Sequence, residues 1–407
     1  MKCRHCKKAL VHTVLDLGFA PPSNAYRNAA DLHCPEVFFP LKVMVCEGCW
    51  LVQTEDYAAA DCLFTADYAY FSSTSTSWLA HAQAYAKKMI EELQLDESSY
   101  VIEVASNDGY LLKNFLAARI PCLGVEPTES TALVAERLGI PTLREFFGEA
   151  LGRHLANQGR TADLIAGNNV YAHVPDINDF TRGLRAALKP QGTITLEFPH
   201  LMCLLKHAQF DTVYHEHYSY LSLHTVERIF ATAGLRVFRV EQLATHGGSL
   251  RVYGCHAEDA RATHNSVAAL LTEEGERGMR NIATYMSLQA RADRIKDELV
   301  TFLIEQKRTG RKVVAYGAAA KGNTLLNYAG VKADLLPLVC DAAIAKQGKF
   351  MPGSHIPIMS PEHLAESRPD FVLILPWNIA AEVRAQHTAL ADLGVRFVTA
   401  VPTLTIS

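Results

Sequence analysis

The sequence predicts an α/β protein with more than one domain, and three observations lead to that prediction. Apolar strand-like segments alternate with helical patterns, as in parallel sheets covered by helices. The order strand, small-residue turn, helix occurs twice, at Ser99–Leu112 and at 312–328. Two C-x-x-C pairs near the N-terminus predict a further, metal-holding unit. Because 407 residues exceed what one hydrophobic core usually supports, we predict three units, at residues 1–66, 67–258 and 259–407.

Composition narrows the class of protein. The chain is 49% hydrophobic and 20% charged, which is ordinary for a globular protein. Its formal net charge of -4, without a long basic run, gives no indication of nucleic-acid binding. The N-terminus lacks an apolar signal core, and no uninterrupted apolar span is long enough to cross a bilayer. We therefore expect a cytoplasmic enzyme that binds neither nucleic acid nor a membrane.

The cysteine spacing at the N-terminus predicts one structural zinc ion. Cys3-x-x-Cys6 and Cys46-x-x-Cys49 each direct two thiolates from a tight turn, and four thiolates complete a tetrahedral site. Since a closed shell leaves no position for substrate, the metal should be structural. The alternative is four reduced structural cysteines. Four further candidate metal ligands do not form a second set of C-x-x-C pairs and are left out: His5, His33, Cys34 and Cys62.

The segment that joins the first unit to the second, Phe64–Ser77, is rich in hydroxyl and aromatic side chains. Tyr68, Tyr70 and Phe71 exceed what a linker needs, so the segment is expected to cover a pocket, with a solvent-exposed loop as the alternative. The following pattern, 78–95, predicts an amphipathic helix.

The second unit opens with a nucleotide-type motif. Tyr100–Ile102 is predicted as a buried strand, 103–109 as its small-residue turn, and a helix is predicted from Tyr110. Glu126 ends the next strand, where a carboxylate commonly accepts ribose hydroxyls. An ordinary strand–helix turn without a ligand is the alternative.

The dinucleotide pattern G-x-G-x-x-G is absent from this turn, since Ala105 and Asn107 replace its first two glycines. The remaining pattern, E-x-A-x-N-x-G, resembles the first motif of class I methyltransferases, which bind S-adenosylmethionine. The expected donor-binding residues are Glu103, Ala105, Asn107, Gly109, Tyr110, Glu126, Pro127 and Asn168.

The α/β alternation continues along the second unit and ends in an antiparallel hairpin at one sheet edge. A helix is predicted to stop at Lys189–Gly192, where proline and glycine occur together. The other predicted elements are strand Ala162–Gly167, helix Thr181–Leu188, strand Thr193–Phe198, helix His224–Ala233, and hairpin strands Leu235–Glu241 and Ser249–Cys255.

The segment Phe210–Tyr220 concentrates polar rings in a way that suits neither a core nor a solvated loop. Its last seven residues contain two histidines, a glutamate and three tyrosines. We interpret it as a catalytic or substrate-binding cluster. The alternatives are a hydrogen-bonded structural knot and a metal site formed by His215, His217 and Glu216.

The third unit follows a long helical bridge, Ser266–Arg308, and repeats the pattern of the second. An acidic residue, Asp341, again ends the second strand. The unit is predicted to hold the nucleotide half of a substrate, with Lys321 and turn amides near a phosphate. A degenerate duplicate used only for packing is the alternative. The expected substrate-binding residues are Gly317, Lys321, Asn323 and Asp341.

The ordered combination of motifs resembles one enzyme family across essentially the whole chain. The two C-x-x-C pairs are followed along the chain by E-V-A-S-N-D-G-Y-L, Y-H-E-H-Y-S-Y, T-H-G-G-S-L-R and Y-G-A-A-A-K-G-N. This order is similar to the sugar C-methyltransferases of deoxysugar pathways in antibiotic and lipopolysaccharide biosynthesis. The resemblance implies a class I methyltransferase core, with a small N-terminal zinc module and a C-terminal Rossmann-like domain. It also implies an acceptor methylated at carbon 3, a 4-keto-6-deoxy sugar linked to dTDP or GDP.

The resemblance further implies roles for individual residues. His217 corresponds to the catalytic base, with Tyr214 and Glu216 beside it. Tyr68 or Tyr70 matches a pocket tyrosine, and a histidine before V-P matches His173. A role for His215 in place of His217 stays open. An O- or N-methyltransferase, or a non-catalytic zinc and nucleotide-binding scaffold, are the alternative functions.

Overall fold

The computed structural model describes residues 1–55, 57 and 71–407. Its strands form three sheets of four, seven and six strands. One hydrophobic core cluster runs through all three units, from Cys3 in the first to Val401 in the last. Within the described ranges, no helix combines the length and the apolar character needed to span a membrane.

The first sheet begins with three antiparallel strands. They are β1 (His12–Ala20), β2 (Phe39–Val45) and β3 (Val52–Thr54). One face is buried, as in most antiparallel sheets that cover a core; the inward Leu41 and Val43 of β2 are each 2% exposed. A short 3-10 helix, Ala30–His33, lies in the long β1–β2 connection.

The two C-x-x-C turns lie side by side at one end of this sheet. The Sγ atoms of the four cysteines all lie within 4.8 Å of one another. Cys3 and Cys49 sulfurs are 3.5 Å apart, and those of Cys6 and Cys46 are 3.4 Å apart. Because Zn–S bonds of ~2.3 Å in a tetrahedron place sulfurs roughly 3.8 Å apart, the cluster fits one ion. The Gln53 amide also donates to the Cys3 sulfur at 3.3 Å, a typical outer-shell contact.

The second sheet is mostly parallel. Its strands are β4 (Val101–Val104), β5 (Cys122–Val125), β6 (Thr142–Leu143), β7 (Ala162–Asn168), β8 (Leu188–Pro199), β10 (Leu235–Leu243) and β11 (Ser249–His256). They are ordered β10-β11-β8-β7-β4-β5-β6. β11 is antiparallel to both of its neighbours, whereas the pairs from β8 to β6 are parallel. The predicted hairpin at one sheet edge is therefore confirmed.

Helices cover both faces of this sheet. They are α1 (Thr76–Leu93), α2 (Leu112–Ala117), α3 (Glu129–Arg137), α4 (Glu149–Asn157), α5 (Ile177–Ala187), α6 (Leu201–His207) and α7 (Leu223–Thr232). α5 begins earlier than predicted because the Asp176 side chain accepts from two amides of the first turn, the usual N-cap arrangement. α2 begins at Leu112 rather than Tyr110, since the preceding turn has left-handed residues.

The predicted end of helix α5 before Lys189–Gly192 is confirmed, since α5 ends at Ala187. These residues, however, do not form a separating turn but belong to β8. The register between β7 and β8 is irregular at this point, where Ala162 faces Leu188 and Leu164 faces Thr193. Proline is tolerated in a strand at such an irregularity because no ladder hydrogen bond is required of its nitrogen. Pro190 is therefore the third residue of a strand that begins at Leu188, directly after the helix.

The fourth strand of the first sheet comes from the second unit. It is β9 (Ser219–Tyr220), which pairs antiparallel with β3 and places Tyr220 opposite Val52. The polar segment 210–220 is thereby fastened to the cysteine-rich unit. The predicted boundary at residue 66 stays a prediction, because 58–70 lie outside the described residues.

The third unit is a second, mostly parallel α/β sheet. Its strands are β12 (Val313–Tyr316), β13 (Val339–Cys340), β14 (Ile358–Met359), β15 (Phe371–Ile374), β16 (Arg396–Thr399) and β17 (Thr405–Ile406). The order is β14-β13-β12-β15-β16-β17, and only the β16–β17 pair in this sheet is antiparallel. Its helices and the preceding bridge are α8 (Asn265–Glu276), α9 (Ile282–Arg308), α10 (Ala320–Tyr328), α11 (Glu362–Glu366), α12 (Ala380–Gln386) and α13 (Thr388–Asp392).

The long helix α9 connects more than the two units predicted from the sequence. Its Gln289 accepts from the Asp16 amide of β1 at 2.7 Å. The Tyr285 ring stacks on Trp50, 6.2 Å between centroids, beside the second cysteine turn. α9 therefore bridges the first unit to the third.

We predict that zinc removal destabilises the first unit. Cys49→Ser should lower bound zinc well below one per chain and lower the Tm, because structural zinc contributes ~10–16 kcal/mol in small peptides. Cys34→Ser is the matched control, since Cys34 is exposed and outside the cluster. Metal analysis and thermal unfolding measure both effects. Wild-type protein with far less than one zinc per chain would contradict the prediction.

Candidate active site

The candidate site lies beyond the carboxyl ends of β4, β5, β7 and β8. In open parallel sheets this edge is where ligands bind. The third unit closes over the edge: the Thr324 hydroxyl of α10 donates to the Val213 carbonyl at 2.8 Å. The site is therefore a cleft between the second and third units.

The turn after β4 has an unusual backbone. Ala105 (φ 55), Asn107 (φ 49) and Gly109 (φ 79) all have left-handed angles. A Cβ atom on Gly109 would lie 2.4 Å from the Ile140 side chain, so this position requires glycine. Left-handed non-glycine residues are strained and cluster where a backbone is shaped for a ligand. The turn thus has the form expected for close backbone approach to a bound molecule.

Glu126 holds this turn in place. Its Oε2 accepts from the Asn107 amide at 2.9 Å, and its Oε1 accepts from the Thr128 amide at 2.9 Å and from the Thr128 hydroxyl. A carboxylate has about four acceptor positions, so room remains for one ribose hydroxyl. Glu126 is 4% exposed, and Pro127 beside it is half-buried. Glu126, the residue predicted to bind the ribose, therefore also joins two backbone turns by hydrogen bonds.

The chain just before α1 packs onto the same turn. The Ser72 amide donates to the Asn107 side-chain oxygen at 2.9 Å, and the Ser73 amide donates to Asp108 at 3.0 Å. Tyr110, at the end of the turn, is 3% exposed. The turn is thus covered by the start of the second unit, as a donor pocket would need.

Two buried polar side chains on neighbouring strands favour a ligand here. Asn168, at the end of β7, has both amide atoms buried with no partner among the described residues. Such atoms normally find a partner in a native interior. Burial raises the pKa of Glu103 well above its ordinary value, and the charges of Asp108 and Glu126 raise it further. Buried polar groups of this kind are expected beside a bound ligand, and their role toward S-adenosylmethionine stays a prediction.

His217 lies in a stack of rings. Ring centroids are 3.9 Å apart for Tyr214 and His217, and 4.6 Å apart for His173 and His217. The Nδ1 atom of His217 is 2.8 Å from the Thr212 carbonyl oxygen. Because a carbonyl only accepts, Nδ1 carries the hydrogen and Nε2 carries the lone pair. This tautomer leaves Nε2 as the basic atom.

Both stacked histidines are held neutral. Burial lowers the pKa of His217 well below its ordinary value, and His173, Lys321 and His246 lower it further by opposing its cation. Burial also lowers the pKa of His173 to about 4. A neutral imidazole is the form that removes a proton.

The structure separates His215 from this stack. Its Nε2 is 3.2 Å from the Pro40 carbonyl, and its ring meets the edge of Phe39, so it faces β2 of the first unit. The Glu216 carboxylate accepts from the Asn24 amide at 2.8 Å on each oxygen. The acceptor on His217 Nδ1 is thus a backbone carbonyl, not Glu216. Among the described residues, the only cluster suited to a metal is the four cysteines.

In the third unit an acidic side chain at the end of a strand joins two backbone turns, as Glu126 does in the second unit. Asp341 accepts from the Ala318 amide through Oδ2 and from the Ala343 amide through Oδ1, both at 2.7 Å. The Ala318 carbonyl, however, accepts from the Tyr26 hydroxyl at 2.5 Å. The turn after β12 is therefore covered by the β1–β2 connection of the first unit.

Two further predicted substrate residues also have internal contacts. A Cβ atom on Gly317 (φ +90) would lie 2.4 Å from the Pro376 ring. The Asn323 side chain donates to the Ser23 carbonyl at 2.6 Å and is 1% exposed. Asn323 thus joins the third unit to the first, whereas Gly317 and Asp341 make their contacts within the third unit. The role of all three toward a nucleotide stays a prediction.

Lys321 differs from the other three because its ammonium faces the histidine stack. Its charge lowers the pKa of His217. The Nζ donates to Asn378 at 2.6 Å and lies 4.7 Å from the Trp377 ring. The Trp377 indole donates to Asp211 at 2.7 Å, and burial raises the pKa of Asp211 to about 6. Lys321 thus lines the cleft from the third unit.

A buried polar network at the end of β8 was not predicted from the sequence. Glu197 is 0% exposed, and His81, Arg251 and Thr245 surround its carboxylate at 2.9, 2.6 and 2.9 Å. The available signal was a glutamate near the end of the apolar strand T-I-T-L-E-F. Two predicted pocket residues, Tyr68 and Tyr70, lie outside the described residues.

Comparisons with protein families divide the chain into three parts that follow its sheets, except that β11 of the second sheet falls within the C-terminal match. Residues 3–64 match a zinc-binding domain, 78–240 a methyltransferase domain, and 244–402 a C-methyltransferase C-terminal domain. The chain is 34% identical over 401 residues to C-methyltransferase NovU from Streptomyces niveus, covering 98% of this chain and 95% of that protein.

Solved structures with detectable similarity include magnesium protoporphyrin IX methyltransferase (ChlM) from Synechocystis PCC 6803 with bound SAH. It has 12% sequence identity, with 44% of this chain and 82% of that chain covered, and a TM-score of 0.35. Another is an S-adenosylmethionine-dependent methyltransferase from Clostridium acetobutylicum ATCC 824, with 11% identity, 44% and 92% coverage, and a TM-score of 0.37.

The family matches and the near full-length relative agree with the architecture described above. A cysteine-rich unit with four clustered sulfurs precedes a seven-stranded sheet whose first turn is shaped for a ligand. The predicted zinc-binding unit and methyltransferase core are confirmed. The chain belongs to the S-adenosylmethionine-dependent C-methyltransferases that carry an N-terminal zinc-binding domain, the family of NovU.

Proposed function

We propose that the protein methylates carbon 3 of a nucleotide-linked 4-keto-6-deoxy sugar, with dTDP or GDP as the nucleotide. The observation that carries this proposal is His217, a neutral imidazole whose Nδ1 is engaged by the Thr212 carbonyl. Nε2 therefore carries the lone pair, and the charge of the half-buried Lys321 is close enough to lower the pKa of the ring. Base and cation together suit the formation of an enolate.

The reaction requires a base because a C–H bond is not nucleophilic. Nε2 of His217 takes the proton from carbon 3, and the electron pair of that bond moves toward the carbon 4 oxygen. A positioned general base contributes ~10²–10⁴-fold. S-adenosylmethionine supplies the methyl group that carbon 3 then binds, while the sulfur keeps the electron pair of the broken bond.

The developing oxygen charge needs a partner that is already in place. The Lys321 ammonium, the Tyr214 hydroxyl and the His173 imidazole are the candidates in the cleft. The positive charge that lowers the pKa of His217 also favours a nearby enolate. A single hydrogen-bond donor to such an oxygen is worth roughly 2.7–4 kcal/mol in acyl transfer.

The donor is proposed to lie along the turn after β4. Glu126 would accept a ribose hydroxyl, and Asn168 would use its unpartnered amide on the donor. The nucleotide half of the acceptor is proposed to bind the third unit, which supplies Lys321.

A panel of dTDP- and GDP-4-keto-6-deoxy sugars, incubated with the protein and S-adenosylmethionine and analysed by mass spectrometry, tests the function. Methylation of none of them would overturn it.

For donor binding, we predict that Glu126→Gln weakens S-adenosylmethionine affinity by roughly 10-fold or more. An amide replaces one accepting oxygen by a donor, and charged hydrogen bonds contribute about 1.5–3 kcal/mol. Titration calorimetry measures the affinity. Glu129→Gln is the control, since Glu129 is exposed in the next helix. Equal affinities for the two variants would remove Glu126 from the donor site.

For catalysis, we predict that His217→Asn lowers turnover by roughly 10²-fold or more, the range for a lost general base. Donor affinity should change little, because the imidazole lies on the acceptor side. His215→Asn is the matched control, since that ring faces Pro40. Deuterium exchange at carbon 3, with a non-methylating donor analogue, should slow in His217→Asn alone. Near wild-type turnover in that variant would exclude His217 as the base.

The pH dependence follows from the lowered pKa of His217. Activity requires the unprotonated ring, and a pKa below the ordinary value keeps the ring unprotonated in mildly acidic solution. The acid limb of kcat/KM should therefore fall at a pH lower than about 6.5, the unperturbed histidine value. Steady-state rates across the acid range measure it. An acid limb above that value would contradict the assignment.

A further inference from the structure

The turn between β10 and β11 holds a histidine in a strained conformation. His246 has left-handed angles (φ 54, ψ 22) and is followed by Gly247 (φ 86) and Gly248 (φ 116). A Cβ atom on Gly247 would lie 2.4 Å from the Trp377 ring, and one on Gly248 would lie 2.5 Å from Cys203 Sγ. Packing on both sides therefore fixes the turn.

Hydrogen bonds hold the same turn from three directions. The Thr245 hydroxyl donates to Glu197 at 2.9 Å. The His200 amide donates to the Gly248 carbonyl at 2.9 Å, and the Gln209 side chain donates to the Gly247 carbonyl at 2.8 Å. Strain of this kind persists only where surroundings determine it, and it concentrates at functional positions.

The imidazole of His246 packs beside Trp78 and lies close enough to His217 to affect the pKa of that ring. Its ring meets the face of Trp78, with 5.0 Å between centroids at 80°. Its Nδ1 is buried and has no hydrogen-bond partner within the described ranges. Burial and the charge of Lys321 lower the pKa of His246 to about 4, so the ring is neutral. A neutral ring offers one donor and one acceptor.

Packing alone does not account for a histidine here. A left-handed backbone accepts histidine, like asparagine and aspartate, more readily than most other non-glycine residues, so the backbone alone does not select histidine. A ring against Trp78 could be fully apolar, without a buried nitrogen that lacks a partner. The side chain therefore supplies one polar atom, Nδ1, that the rest of the described protein does not use.

The position of the turn in the sheet indicates which of the two ligands, the methyl donor or the acceptor, lies beside it. Four strand spacings of ~4.8 Å separate β11 from β5, whose end carries Glu126. Trp377 and Lys321, which flank the turn, belong to the third unit. The turn is thus on the acceptor side of the cleft.

We propose that His246 binds the sugar ring of the acceptor, exchanging a hydrogen bond between its imidazole and a hydroxyl or carbonyl oxygen of that ring. The inference rests on the proposed function, because it takes the nucleotide-linked sugar as the acceptor.

The test compares His246→Phe with His246→Asn in the full-length zinc-loaded protein. Phenylalanine keeps a ring against Trp78 but has no polar atom, whereas asparagine tolerates the left-handed backbone and keeps both a donor and an acceptor. With the sugar that the wild-type protein methylates, His246→Phe should lower kcat/KM about 10-fold, the effect of roughly one hydrogen bond. The KM of the sugar should rise, the donor Kd should stay within about twofold, and His246→Asn should recover part of the loss.

His154→Phe, at an exposed position of α4, is the control and should behave as wild type. A wild-type kcat/KM in His246→Phe would overturn the inference and leave the proposed function intact. A weakened donor Kd with an unchanged sugar KM would place His246 on the donor and also overturn it. If wild-type protein methylates no sugar of the panel, the proposed function fails and this inference fails with it. Should His246→Phe unfold, His246→Asn decides. A wild-type Tm with a sugar KM raised less than about 10-fold supports the polar contact, and a wild-type Tm with an unchanged sugar KM or a raised donor Kd contradicts it.

Discussion

The pairing of β9 with β3 is the contact on which the candidate site depends. β3 follows the second cysteine turn, and β9 begins two residues after His217. The Thr54 hydroxyl donates to the His217 carbonyl, and its amide donates to the Tyr218 carbonyl, both at 3.2 Å. Arg4, between the first two cysteines, donates to the Thr54 carbonyl at 2.8 Å and lies over the Tyr218 ring. A turn suited to hold zinc thus positions a segment with little regular structure of its own.

The second and third units show how one local pattern serves two purposes. Glu126 and Asp341 each join the turn after the first strand to the amide two residues beyond the acid. Hydrogen bonds to a charged group contribute about 1.5–3 kcal/mol each, so this brace stabilises both units. In the second unit it leaves a strained turn beside the unpartnered Asn168. In the third, Tyr26 covers the turn, which becomes a joint between units.

Charge in the cleft affects the base and the anion in opposite ways. Burial lowers the pKa of His217, and the positive charge of Lys321 lowers it further, which weakens the ring as a base. The same positive potential stabilises an enolate oxygen, and in a buried cleft that effect is larger than in water. For a carbon acid the second effect matters more, because the anion is the species that is hard to form. Burial lowers the pKa of Lys321, and the Asp211 carboxylate opposes that shift and so helps to keep the ammonium charged.

The sequence by itself determined the features that depend on near neighbours in the chain. The cysteine pairs, the strand–turn–helix order, the acid at the strand end and the edge hairpin all follow from local spacing and periodicity. Tertiary structure alone decided which polar side chains meet. It turned His215 toward β2 and His217 toward the cleft, although the two lie two residues apart. It also placed Lys321 and His246 beside that base, and it gathered partners around Glu197 from α1 and β11. Side-chain direction in an irregular segment depends on strands paired from distant parts of the chain, and local pattern carries no information about that pairing.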